Sequence, residues 1–97
     1  MELLEPWLED KNPALARELQ REMCRGHVLF GLPVSPVARR QDRDDVLFTL
    51  EDGSGRVAVV HLTYKNETEP LWPRTSFFPD LDSWLQVMKS DHDEFCD

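Results

Sequence analysis

Hydrophobic positions recur every second residue in two neighbouring stretches, "DVLFTLE" and "RVAVVHLTY", and at three- and four-residue intervals in two others. The alternating stretches are rich in β-branched and aromatic residues and flank Asp52-Gly53-Ser54-Gly55, so they predict a β-hairpin. Val46, Phe48 and Leu50 share one face of its first strand. In the second strand Ala58, Val60, Leu62 and Tyr64 share one face, and Val57, Val59, His61 and Thr63 the other. Both faces are apolar near the start of the second strand, which predicts a central strand covered at least partly on each side.

Helical spacing dominates elsewhere. Leu15, Ala16, Leu19 and Met23 form a stripe that starts after Asn12-Pro13, a good N-cap followed by a proline suited to the first turn, and Gly26 is placed to end the helix. Leu81, Trp84, Leu85 and Met88 form a second stripe after Pro79-Asp80. Upstream of the first helix, Leu3, Leu4, Trp7 and Leu8 predict a short turn packed beside it, limited by Pro6. Gly31, Pro33 and Pro36 break residues 28–36, which therefore read as a loop or irregular edge, and Val37 to Arg40 as a first strand. "RRQDRDD" alternates charge sign and predicts a solvated turn, and Thr75 to Phe78 a short last strand. The order predicts an α+β fold: an N-terminal helix, an antiparallel sheet of three to four strands and a C-terminal helix, the helices largely on one face. Residues 1–97 make a single domain, with 1–11 and the acidic tail 91–97 expected as mobile ends.

Composition narrows function by exclusion. Eleven basic against nineteen acidic side chains give a formal charge of -8, a field that repels phosphate backbones, so no nucleic-acid partner is expected and a basic protein surface is. No apolar run is long enough for a membrane span, and "MELLEPWLED" lacks the pattern of a signal peptide, so no membrane partner and a cytoplasmic location are expected. Cys24 and Cys96 are far apart and lack zinc-site spacing, so both read as free thiols. No cofactor motif and no metal-ligand set is present; "DHDE" around His92 is at most a weak, adventitious metal binder.

The candidate chemistry lies in "HLTYKNETEPLWPRTSFF". His61 is either a buried histidine bonded to backbone or to a neighbouring side chain, or a base or donor at the rim of a cleft with Tyr64 and Arg74. No serine, cysteine or carboxylate is placed by spacing to complete a catalytic set, so no catalytic residue is assigned. Trp72 and Arg74, stiffened by Pro73, are residue types in which interfaces concentrate their energy. The opposing reading folds Leu71 and Trp72 back over the sheet as a lid. His27, beside Gly26, reads as an imidazolium at the negative end of the first helix.

Taken in order, the "DDVLF" strand, the "DG" turn, "AVVHLT" and the "WP-x-T" segment resemble a family of small, mostly bacterial proteins of unknown function. The resemblance covers residues 39–78. It implies a compact domain in a bacterial cytoplasm and no activity or cofactor; where the family carries tryptophan after "HLT", this chain has Tyr64. The functional expectation is thus a non-enzymatic acidic binding domain, immunity-like in neutralising a basic protein partner, with homodimerisation through a strand edge as a further mode. The alternative is a small enzyme or ligand-binding protein with a cleft near His61, Tyr64, Trp72 and Arg74.

Overall fold

Alternation in the two hairpin strands puts apolar side chains on both of their faces, and each face has found a helix. A computed structural model of the chain describes residues 2–96; Met1 and Asp97, at the ends expected to be mobile, lie outside the described residues. Five strands, β1 (Trp7–Glu9), β2 (Val34–Arg40), β3 (Asp45–Leu50), β4 (Val57–His61) and β5 (Thr75–Phe78), form one antiparallel sheet in sequence order. Helix α1 (Pro13–Glu22) follows β1, and α2 (Leu81–Phe95) follows β5. The fold class is α+β, and a radius of gyration of 13.0 Å suits a single domain of this length.

The helices lie on opposite faces of the sheet rather than largely on one. Leu19 and Met23 of α1, with Leu29 from the following loop, pack on Val46, Phe48, Leu50, Ala58, Val60 and Leu62. Trp84 and Met88 of α2 pack on Trp7, Ala38, Leu47 and Val57. One helix could not have covered both sets, because side chains alternate between the faces.

Two strands run further than the sequence predicts. The turn expected around Trp7 is instead β1, whose Trp7, Leu8 and Glu9 face Arg40, Arg39 and Ala38 of β2. Five strands therefore replace the expected three to four. β2 starts at Val34, upstream of Pro36, and its register shifts between Pro36 and Ala38. A bulge accommodates a residue that cannot donate to the ladder. Pro36 also lies outside the stretch of β2 that β1 pairs with, so its missing N–H disrupts no bond on that side.

The helix ends follow local chemistry. The Asn12 side chain accepts from the Ala14 N–H, and that of Asp80 from the Ser83 N–H. The expected end of α1 at Gly26 is corrected: Met23 is the C-cap, its N–H donating to the Leu19 carbonyl, and Gly26 belongs to the turn beyond. Helix α2 continues through the acidic tail to Phe95. There His92 Nδ1 meets the Glu5 carbonyl at 2.7 Å and Asp91 accepts from Trp7 Nε1 at 3.0 Å, which fastens the tail to the N-terminal segment. Trp7 and Trp84 meet edge to face at 5.1 Å under this helix.

The charged turn is paired rather than free. Arg39 donates to Asp10, and Arg40, 5% exposed, donates twice to Asp42 and lies 3.5 Å from Asp91. Burial draws the Arg40 pKa down, but the carboxylates of Asp42, Asp91 and Asp45 outweigh it and leave the pKa raised.

Candidate functional site

The hairpin turn sets the site by setting register. Asp52 accepts from the Ser54 N–H, and Ser54 Oγ from the Arg56 N–H, while Gly53 and Gly55 adopt φ of 80° and 78°. Such left-handed conformations suit glycine. The bonds from Ser54, and then Arg56, hold the Asp52 carboxyl down to about 2. From this turn the pairing runs Thr49 to Val57, Phe48 to Ala58 and so on until Asp45 stands opposite His61.

Their side chains meet: His61 Nδ1 lies 2.7 Å from Asp45 Oδ1, with the imidazole half exposed. A carboxylate therefore does stand beside His61, contrary to the expectation from spacing alone. The signal was available, because pairing outward from a turn centred on Gly53 brings residues 45 and 61 together. With Nδ1 committed to Asp45, Nε2 is the ring's free nitrogen.

β5 brings the other wall. The His61 N–H donates to the Arg74 carbonyl at 2.9 Å, so the segment entering β5 runs alongside the end of β4. The Arg74 guanidinium lies over the Trp72 ring, 5.1 Å from its centroid. Asp45, Val59, His61 and Ser76 on the sheet, with Leu71, Trp72 and Arg74 from the incoming segment, line a groove of about 480 Å³. A second hollow of similar size lies against the same His61 and Trp72, bordered by Asp44, Thr63, Lys65 and Glu67. Three of the four residues singled out in the sequence, His61, Trp72 and Arg74, therefore come together.

Tyr64 does not line either hollow. It is exposed, holds a left-handed backbone (φ 57°) and gives its N–H to Glu22. Partial burial, followed by the nearby Asp44, Glu18 and Glu22, pushes its phenol above the ordinary value, which suits it poorly as a base.

Leu71 is 79% exposed, so it does not close over the sheet as a lid. The segment is instead a wall pinned at two places. At one, the fully buried Glu22 at the end of α1 accepts from the Thr63 N–H (2.7 Å), the Thr63 hydroxyl (3.1 Å) and the Tyr64 N–H (2.8 Å). Burial and the bond with Glu18 push its carboxyl above the usual carboxylate range, against the pull of those donors. At the other, buried His27 bridges from the turn after α1. Its Nδ1 accepts from the Leu29 N–H at 3.0 Å, so its ring proton sits on Nε2 and points to the Pro73 carbonyl at 2.8 Å. His27 is therefore not a charged group capping the helix; it is a clamp that fixes the peptide between Trp72 and Arg74. Neither Glu22 nor His27 carries a sequence signal for this role, because each reaches more than forty residues along the chain.

Among the described residues, no group of three or more His, Cys, Asp or Glu side chains is arranged to hold a metal ion, and no helix is long and apolar enough to cross a membrane. Cys24 and Cys96 are free. Comparisons of the chain with protein-family models, with curated proteins and with solved structures find no match. The site is accordingly read from its own geometry.

Proposed function

We propose that this protein is a binding domain and that its recognition site is the groove between the end of β4 and the Trp72–Arg74 wall. One observation carries the reading: an accessible imidazole converges on one concave surface with an indole and a guanidinium that lie eleven and thirteen residues away in the sequence. A segment serving only as a connection has no need of an exposed Leu71 beside a Trp72–Arg74 cation–π pair. Convergent polar groups on a partly apolar concavity are the usual makings of a ligand site. The groove favours the ligand-binding alternative over the immunity-like reading, which has the net charge of -8 as its support.

The test is a titration of the ¹⁵N-labelled protein with the small-molecule and the macromolecular fractions of a cell extract, each at low and high salt. The expected result is a set of saturable shifts confined to the groove around His61, Trp72 and Arg74, lost in the Trp72→Ala, Arg74→Ala double variant. Shifts that spread over the acidic outer surface of α2, vanish at high salt and survive in the double variant would instead establish the basic-partner reading.

A further inference from the structure

On the reading of this groove as a ligand site, we infer that its ligand is an organic monocarboxylate, bound through Arg74. The guanidiniums of Arg21, Arg39, Arg40 and Arg56 each have a carboxylate at 2.6, 2.9, 2.9 and 3.2 Å. Among the described residues Arg17, Arg25, Arg43 and Arg74 have no such partner, and of these four Arg74 is the one that lines the groove. The acid that lines the groove, Asp45, accepts from His61 Nδ1 at its Oδ1.

The guanidinium lies over the Trp72 ring, and among the described residues its N–H groups donate to no side chain or backbone group. That planar fork matches the two oxygens of a carboxylate. His61 lines the same groove from the adjacent strand, its Nδ1 held by Asp45. Val59, Leu71 and the edge of Trp72 offer apolar surface for a hydrocarbon portion of the ligand. A phosphate is disfavoured: a second negative charge would meet Asp45 in the same groove, Asp44 in the neighbouring hollow and the field of a protein with net charge -8. The carboxylate can belong to a small organic acid or to the C-terminus of a peptide, and the chemistry at Arg74 is the same.

Hexanoate and its neutral isostere hexanamide test this, together with acetyl-leucyl-valine and its carboxamide as a pair that mimics a chain end. The readout is the chemical shift of the Arg74 Nε–H and the Trp72 indole N–H. At least one carboxylate is expected to saturate these shifts, with its amide weaker by about tenfold or more, the loss expected for a charge-assisted hydrogen bond. Arg74→Gln is expected to reduce the affinity similarly; its fold is verified by unchanged amide shifts in β3 and β4. Tighter binding of the dipeptide would identify a chain end as the source, and tighter binding of hexanoate a small acid. Amides that bind as well as the acids would overturn the carboxylate assignment while leaving the groove a ligand site. Failure of all four probes to perturb either N–H would overturn the inference, and the extract titration then decides separately whether the groove binds anything.

Discussion

The two faces of the sheet are built from the same strands but finished differently. On the α1 face, the helix and the loop through Leu29 bury Phe48, Ala58, Val60 and Leu62 almost completely. On the α2 face, Trp84 and Met88 cover Trp7, Leu47 and Val57, and Val59 is only partly buried at the margin. Beyond that margin lie Asp45, His61, Ser76 and Arg74, which α2 does not cover. A domain of this size leaves roughly a third or more of its unfolded-chain surface in water, so part of a sheet face can stay uncovered. The uncovered remainder carries polar residues and is where the groove lies.

The largest test of that contrast is a pair of truncations. Phe48→Ala on the closed face should cost about 3–5 kcal/mol in urea unfolding, since it leaves a cavity that the packed neighbours cannot fill. Val59→Ala at the groove margin should cost about 1 kcal/mol, because it removes fewer methyl groups from a partly solvated place. Equal costs would mean that the α2 face is as closed as the other.

Next in size is the pin between α1 and the residues that leave β4, Thr63 and Tyr64. Glu22→Gln should cost about 1–3 kcal/mol, because an amide presents one acceptor oxygen and turns its NH₂ towards backbone N–H donors. The substitution should also change the pH profile. The folded pKa of Glu22 is raised, so its contribution to stability is fully present below the unfolded carboxylate value and lost as pH rises through the folded one. Glu18, whose pKa is lowered first by Arg21, contributes in the opposite sense. Comparing urea midpoints of wild type and Glu22→Gln across the acidic range isolates the Glu22 contribution: the difference should change as pH rises above the unfolded value of a glutamate. A constant difference would show that burial does not raise this carboxyl.

The smallest expected effect separates the site from the scaffold. Asp45→Asn should alter stability by less than about 1 kcal/mol, because the His61 imidazole is half exposed and such pairs are screened by water. Its visible consequence should be in the ring: ¹⁵N shifts of His61 should lose their preference for a proton on Nδ1. A large loss of stability would make the pair part of the core's support instead.

The elements that were legible in the sequence are those whose causes are local. The hairpin follows from alternation about Asp52-Gly53, the start of α1 from Asn12-Pro13, and α2 from Asp80 and the stripe through Trp84 and Met88. β1 was illegible because three residues carry too little period to distinguish a strand from a turn, and it exists through its pairing with β2. Pro36 misled because its strand incompatibility is removed by a bulge and an unpaired neighbouring edge, neither of which is local. In the site, His61, Trp72 and Arg74 stood out by residue type. Asp45 needed the hairpin register, and Glu22 and His27 needed the tertiary fold.

The sequence by itself therefore determined the strand and helix periods, the turn that sets the Asp45–His61 register, and the residue types available to a site. The tertiary structure decided which face each helix covers, how much of the second face stays open, and that the Trp72–Arg74 wall is held by His27 and the start of its loop by Glu22. Propensity and periodicity act through near neighbours, whereas the bond from His27 to Pro73 spans 46 residues and exists only after the chain has closed on itself.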